Sequence, residues 1–321
     1  MRRFGASAAL LLLSMLGASA FGAGSTAAAT APLYPHQSLG NRGADVQSVQ
    51  GFLRHRGATI AVDGFFGAAT EAAVQAFQRQ AGVQATGRVG ETTWSALVVR
   101  VEPGVRGEAV KALQRQLNAK RGAGLAITGV DDAATVSAVR AFQKHARLTV
   151  NGIAGALTWR YLIAHFDRPA FGNAVCDYQV GNGLADWGTG AAIGQVEAAA
   201  ANVVELGHGR VAIGDIGLEH GGDIAGHETH ERGLDVDVRP MRNARDQCRT
   251  GVNYRSSAYD RAATRDLVVA VRATAKGHVK LIYFNDPVLI REGLVRSFTG
   301  HDDHLHIRYC EKTHPDPAYD C

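Results

Sequence analysis

Apolar residues in the first half of the chain recur at the spacing of a helix. Val46, Val49 and Leu53 lie three and four positions apart, and Val74 and Phe77 continue this spacing. Residues spaced in this way share one face of an amphipathic helix, which packs against a core. Turns that contain glycine interrupt the pattern, so it predicts several short helices rather than one long helix.

This helical pattern occurs twice along the chain. The matching positions of the two copies are Gly43 and Gly107, Gln50 and Gln114, Phe77 and Phe142, Gly87 and Gly152, and Trp94 and Trp159. An internal repeat of this length predicts two three-helix units, at residues 39–98 and 101–165. The two tryptophans hold fixed places near the ends of the units, so we expect them in the core.

The pattern changes after a junction at residues 162–171. Short apolar runs and alternating segments now dominate, and both predict strands. The predicted strands are Val203 to Leu206, Val211 to Ile213, Leu234 to Val238, Val279 to Phe284 and His304 to Tyr309. Tyr259 to Ala275 is the one long stretch with helical periodicity. The chain is therefore predicted to be multidomain: two small all-α repeats, then an α+β domain at 172–321 with a central antiparallel sheet.

The first residues have the pattern of a secretory signal. Arg2 and Arg3 precede an apolar run from Ala8 to Leu16, and Ala18 to Ala20 are small residues suited to cleavage. The run is shorter than the about 20 residues that span a bilayer. We therefore predict a signal peptide and linker at residues 1–31, no stable membrane insertion, and a secreted protein. Such a protein is extracellular, wall-associated, or periplasmic in a Gram-negative source. An uncleaved anchor is the alternative.

The four cysteines all lie in the C-terminal half, at Cys176, Cys248, Cys310 and Cys321. An even number in a secreted chain indicates disulfides, and four cysteines allow three pairings. No two of them have the spacing of zinc ligands. Cys310 with Cys321 would close a short loop, which favours that pair and leaves Cys176 with Cys248.

Charge is distributed unevenly between the two halves. Residues 31–168 contain 16 Lys and Arg against 9 Asp and Glu, whereas residues 169–321 contain 16 against 21. A basic half in a secreted chain indicates an anionic partner. The chain has no run of basic residues and no basic patch interleaved with aromatic residues. This disfavours nucleic acid and favours an anionic wall polymer.

Polar residues with metal-binding chemistry alternate along two of the predicted strands. His304 and His306 lie two positions apart and therefore share one face of their strand. Asp235 and Asp237 share a face of the other strand in the same way, and His230 lies in the loop just before it. Two adjacent strands with these polar faces can meet on one metal ion.

A catalytic zinc site needs three protein ligands and one open position for water. His230, Asp237 and His306 supply two imidazoles and one carboxylate, and Asp235 is expected to support them by hydrogen bonds. The segment 227–230 is one residue too short for the helical H-E-x-x-H motif, so its glutamate is not assigned as a base. A purely structural zinc is disfavoured, because structural sites usually have four ligands rich in cysteine.

The two repeats resemble the peptidoglycan-binding three-helix repeats found on many cell-wall hydrolases. The resemblance rests on the G-x-x-V-x-x-x-Q-x-x-L, A-F-Q and T-W elements of both copies. It implies that these units bind peptidoglycan, through its glycan or its peptide stems. A helical spacer without a ligand is the alternative.

The histidine-rich segments resemble the penicillin-insensitive murein endopeptidase family, within the LAS group of zinc peptidases. Gly226 to Asp237 fits G-H-x-x-H-x-x-G-L-D-x-D, and Gly300 to His306 fits G-H-x-x-H-x-H. The resemblance covers residues 174–312. It implies three ligands for one zinc ion and three catalytic histidines around the bound water: His230, Asp237 and His306, and then His227, His301 and His304.

The resemblance implies a zinc metallopeptidase that hydrolyses peptide cross-links of peptidoglycan, as a D,D-endopeptidase, and we predict that it is secreted and monomeric. A zinc D,D-carboxypeptidase and a non-catalytic wall-binding protein are the alternatives. His304 is the expected general base, because an imidazole titrates near neutral pH. His227 or His301 would stabilise the oxyanion or protonate the leaving amine. Asp303 is the alternative base, since D,D-carboxypeptidase relatives place a glutamate near this position.

Overall fold

The computed structural model describes residues 31–179, 185–227 and 229–321. The predicted signal segment and Glu228 therefore lie outside the described residues. The first half of the described chain is helical, as the pattern predicted. Its helices are α1 (Ala44–His55), α2 (Ala68–Gln80), α3 (Glu91–Leu97), α4 (Glu108–Arg121), α5 (Ala133–His145) and α6 (Ala156–Ala164).

Buried glutamines explain the motif that the two repeats share. Gln50 accepts a hydrogen bond from the N–H of Gly64 at 2.9 Å and donates to the hydroxyl of Thr70 at 3.1 Å. Gly64 has a φ of +73°, a conformation that glycine adopts without strain. The same pair of bonds recurs at three more glutamines: Gln78, Gln114 and Gln143. Each network fixes the turn that leads into the next helix.

Trp94 and Trp159 lie in the apolar core of the repeats, as expected. Both side chains are fully buried. Their indole N–H groups donate to the carbonyls of Pro35 and Val99, each at 2.8 Å. These contacts leave neither ring free to stack on a sugar.

The C-terminal half is built on a five-stranded sheet with the order β1-β2-β3-β5-β4. Its strands are β1 (Val175–Asp177), β2 (Val211–Ile213), β3 (Asp235–Val238), β4 (Val279–Tyr283) and β5 (Leu305–Tyr309), and its helices are α7 (Gly190–Glu205), α8 (Arg261–Thr274) and α9 (Pro287–Arg291). A 3-10 turn follows at Pro317–Tyr319. The α+β prediction is confirmed, but β1 pairs with β2 in parallel, so the sheet is mixed rather than antiparallel.

The predicted strand at Val203 to Leu206 was wrong, because Val203 lies in α7. The region therefore has two long helices, not one. Ten of the sixteen residues of α7 are buried, so its sequence lacks a polar face. Gly194 lies against Gly43 of the first repeat, where a Cβ on Gly194 would come within 2.5 Å of the Gly43 nitrogen. Glycine here permits close contact between the helix and the repeat.

The alternating segments of β3 and β5 bury their apolar residues as predicted. Val236, Val238, Leu305 and Ile307 are fully buried in the core of the C-terminal half. The repeats have a separate apolar core. The predicted boundaries at 39–98, 101–165 and 172–321 stay predictions. Among the described residues, no helix has the length and apolar character needed to cross a membrane.

Two disulfides and two buried ion pairs of one lysine connect separate segments. Cys176 is bonded to Cys248, and Cys310 to Cys321, which are the pairs that the sequence favoured. Lys120 of α4 is fully buried, with its ammonium 3.2 Å from Asp45 of α1 and also paired with Asp167. The Asp167 N–H donates to the Gly188 carbonyl at 2.7 Å. These bonds tie both repeats to the C-terminal half.

Candidate metal centre

The polar faces of β3 and β5 lie side by side. The two strands pair antiparallel, with Asp237 opposite His306 and Asp235 opposite Arg308. Apolar residues alternate with these and fill the core below. The strand pairing therefore places a carboxylate and an imidazole from distant parts of the sequence directly beside each other.

Three predicted ligand atoms lie at the mutual distances that one metal ion requires. His306 Nδ1 is 3.0 Å from Asp237 Oδ1 and 3.3 Å from His230 Nε2. His230 Nε2 is 3.5 Å from Asp237 Oδ1. Ligands on a tetrahedral zinc with bonds of about 2.0–2.1 Å stand about 3.4 Å apart. The donor set, two nitrogens and one oxygen, thus fits a metal ion.

A hydrogen bond on the far side of each imidazole orients the ring so that its other nitrogen faces the candidate metal position. His306 Nε2 lies 2.9 Å from Asp235 Oδ1, and His230 Nδ1 lies 2.9 Å from the Ile216 carbonyl. Each acceptor holds the ring proton on that nitrogen and leaves the other nitrogen with a free lone pair. Asp235 is fixed in turn by Arg308, whose Nε donates to it at 2.6 Å.

The carboxylates make the site strongly attractive to a cation. Burial raises the pKa of Asp235, but hydrogen bonds from His306 and Arg308 outweigh burial and bring the pKa to about 2. Burial lowers the pKa of His306, yet its bonds to Asp235 and Asp237 raise it to about 9. The two aspartates thus stabilise positive charge at this position, whether a proton or a metal ion carries it.

The backbone at His230 is held in an unusual conformation. His230 has a φ of +76°, which costs a non-glycine residue about 1–3 kcal/mol. Its N–H donates to Asp235 Oδ2 at 3.1 Å. Gly233 follows with a φ of +64°, and a Cβ there would lie 2.8 Å from the Gly188 Cα. The tight loop positions the imidazole, and strain of this kind is common at functional sites.

The three predicted catalytic histidines surround the ligand atoms. The ring centre of His301 is 5.6 Å from that of His306 and 4.6 Å from that of His304. His304 lies just before β5 rather than in it, and its Nδ1 is 3.0 Å from Asp303 Oδ1. The ring centre of His227 is 4.6 Å from that of His230. The fold therefore brings all six predicted site residues together.

His227 has more than one role open to it. Its donor atoms, with those of His230 and Asp237, lie close enough together to hold one ion. Its Nε2 is also 3.2 Å from Asp215 Oδ2, and its Nδ1 is 4.0 Å from Asp237 Oδ2. The geometry thus allows His227 to be a metal ligand with His230 and Asp237 as well as to act in catalysis.

Sequence reasoning missed two residues of this site. Asp215 follows β2, is buried, and pairs with His227 while it accepts a bond from Gln179 at 3.0 Å. Tyr283 of β4 stacks on His306 with ring centres 6.0 Å apart. The one signal for Asp215 in the sequence is its position, two residues after the predicted strand Val211 to Ile213. That signal does not indicate function by itself, because an aspartate after a strand is also typical of an ordinary turn.

Comparisons with solved structures give partial matches. One match is the structure of a peptidoglycan-binding protein from Clostridioides difficile in complex with glutamine hydroxamate. The two sequences are 35% identical, the match covers 19% of this chain and 39% of that chain, and the TM-score is 0.19. The structure of a Burkholderia AP3 phage endolysin is 31% identical, over 34% of this chain and 38% of that chain, with a TM-score of 0.20. This chain thus spans less than half the length of either. No curated protein matches it.

Comparison with family models matches both halves of the chain. Residues 42–97 and 106–162 each match a putative peptidoglycan binding domain. Residues 182–286, which include His230 and Asp237, match the penicillin-insensitive murein endopeptidase model. Residues 182–286 therefore form a region of the penicillin-insensitive murein endopeptidase family, with two peptidoglycan-binding repeats ahead of it.

Proposed function

We propose that this protein is a zinc endopeptidase that hydrolyses peptide cross-links of peptidoglycan and is held at the wall by its N-terminal repeats. The observation that carries this proposal is the group of three ligand atoms of His230, Asp237 and His306, separated by 3.0–3.5 Å. Attachment to the wall would raise the local concentration of substrate by an effective-concentration effect.

Zinc is the metal that best suits this donor set. Two imidazoles and one carboxylate form a common catalytic zinc site, and three protein ligands leave one position open. His230, Asp237 and His306 would hold the ion. When bound, zinc supplies Lewis acidity that polarises a carbonyl and lowers the pKa of water.

His304 is suited to act as the general base. Its Nδ1 faces Asp303 Oδ1 at 3.0 Å, an arrangement that holds the proton on Nδ1 and leaves Nε2 free to accept one. Asp303 is highly exposed, with 67% of its side chain open to solvent. We assign it the role of orienting His304, because it faces the Nδ1 of that ring.

His227 and His301 can divide the remaining proton transfers between them. Asp215 faces His227 Nε2 and orients this ring, so His227 is placed to contact the developing negative charge or the leaving amine. His301 Nδ1 lies 3.1 Å from the Thr299 carbonyl, and burial lowers the pKa of His301. A neutral ring with a free Nε2 can relay a proton from His304.

The location of this activity follows from its substrate and its disulfides. Peptidoglycan lies outside the cytoplasm, and the two disulfides are of the kind that persists in oxidising compartments. We therefore propose that the protein is secreted and works in the periplasm or at the external wall. All six site residues come from one chain, so a monomer suffices.

Digestion of purified cross-linked muropeptide dimers tests the proposal. The full chain should convert dimers to monomers, lose this activity with a chelator and regain it with added zinc. Mass spectrometry separates the outcomes. Release of free D-alanine from intact dimers would indicate a carboxypeptidase instead. No product in the presence of zinc would overturn the enzymatic function and leave a wall-binding protein.

A further inference from the structure

A second group of histidines lies where the second repeat meets the C-terminal half. We call it the junction cluster, and it consists of His145, His165, Glu219 and His220. His145 ends α5, His165 follows α6, and the other two residues lie in the loop after β2. No sequence motif unites these positions, and they share no residue with the metal centre described above.

Three donor atoms of the junction cluster have the same spacing as those of the first site. His145 Nε2 lies 3.2 Å and His165 Nε2 lies 3.3 Å from Glu219 Oε1, and the two nitrogens are 3.4 Å apart. This is the spacing of about 3.4 Å expected for ligands of one tetrahedral zinc ion. His220 offers a fourth donor, within 4.8 Å of those of His145 and Glu219.

The surroundings orient one of these donors and include two helix C-termini. His165 Nδ1 lies 2.7 Å from the Phe166 carbonyl, so the proton is held there and Nε2 presents its lone pair. The C-termini of α5 and α6 both end at the cluster. The C-terminus of a helix carries partial negative charge, which stabilises a nearby cation.

Arg121 is the competitor for this position. Its Nη1 donates to Glu219 Oε1 and lies 3.4 Å from His145 Nε2. The side chain is 28% exposed, and its guanidinium lies 5.8 Å from the ring centre of Trp187. A bound ion would therefore have to displace Arg121 from Glu219, toward the solvent that its side chain already partly reaches.

We propose that the junction cluster is a second metal site, which binds a divalent transition-metal ion such as zinc. Imidazole and carboxylate donors suit such ions. Two of the ligands come from the end of the repeats and two from the loop after β2. A bound ion would therefore fasten the wall-binding repeats to the peptidase region, and its binding free energy would add to the stability of the folded chain.

Counting bound metal tests this proposal without reference to activity. The full chain is stripped with chelator, titrated with Zn²⁺, and analysed for zinc by mass spectrometry. Wild type should bind two equivalents, whereas His306→Ala and the double variant His145→Ala with Glu219→Gln should each bind one. His208→Ala is the matched control, because His208 also pairs with a carboxylate, Asp266, at 2.8 Å, and it should keep both equivalents.

Arg121→Gln supplies an independent readout. Removing the competing guanidinium should lower the zinc dissociation constant of the second site by about two- to fivefold, which corresponds to the free energy of a partly exposed ion pair. An ion pair without metal function would make this variant less stable and give no change in zinc binding. Circular dichroism checks that every variant is folded. One equivalent in both wild type and Arg121→Gln, or a second equivalent that survives His145→Ala with Glu219→Gln, would overturn the proposal.

Discussion

Substitution of Asp235 by asparagine tests how the metal centre is held. The Asp235 carboxylate accepts from His306 Nε2 and Arg308 Nε on Oδ1, and from the His230 N–H on Oδ2. Arg308 Nη2 also approaches Oδ2 at 3.3 Å. An amide has one oxygen, so Asp235→Asn can satisfy one side of this arrangement only. In either orientation its NH₂ group faces two donors.

The expected loss follows from this geometry. If the amide nitrogen faces His306, the ring must carry its proton on Nδ1, where it blocks the ligand position. If the nitrogen faces His230, the N–H of that strained residue loses its acceptor. Loss of such an outer partner typically weakens metal binding by about 10–100-fold, or about 1.4–2.7 kcal/mol. The unpaired buried donors should also destabilise the fold by about 1–3 kcal/mol.

A competition titration with a chromophoric zinc chelator measures this loss. Asp266→Asn is the matched control, because Asp266 also faces a histidine, His208, at 2.8 Å but lies outside both donor groups. Its zinc affinity should equal that of wild type. A folded Asp235→Asn protein with affinity within about threefold of wild type, well below the loss expected for an outer partner, would refute the reasoning.

Three further substitutions have defined outcomes. His304→Ala should lower the rate of dimer cleavage by about 10²–10⁴-fold with zinc content unchanged, and normal turnover would place the base elsewhere. Lys120→Met leaves Asp45 and Asp167 buried without their cation, and denaturant titration should show a loss of about 3–5 kcal/mol; a loss below about 1 kcal/mol would contradict this. Burial raises the pKa of Glu311 to about 8, so this group should lower the unfolding free energy as pH rises from about 4.5 to about 8. Glu311→Gln should reduce the slope in that range, and equal slopes in both proteins would contradict this.

Local signals explain which parts of the fold could be predicted from the sequence. The repeats follow from helical spacing and from glycines whose positive φ values the buried glutamines stabilise. The adjacency of β3 and β5 follows from two alternating segments with metal-binding residues. Helix α7 was missed because most of its residues are small or apolar on every side, and periodicity cannot tell such a segment from a strand.

Contacts between distant segments account for what the sequence could not reveal. Asp215 reaches His227 only because β2 packs beside β3. The junction cluster brings together His145 of the second repeat and Glu219 of the C-terminal half, although the sequence predicts only a short junction between these two regions. The residues of such groups have no characteristic spacing along the sequence, since tertiary packing alone brings them together.

The packing of the repeats bears directly on how the enzyme would work on the wall. A flexible linker would let a bound enzyme sample many cross-links around its attachment point. Here Lys120 is buried between the repeats and the junction, and Gly194 of α7 touches Gly43 of the first repeat. These contacts form one compact unit over residues 31–321. If the repeats bind the wall as proposed, a catalytic site held in this way would reach only cross-links at a set distance and angle from the bound strand. The repeats would then select the bond that is cut as well as raise its local concentration.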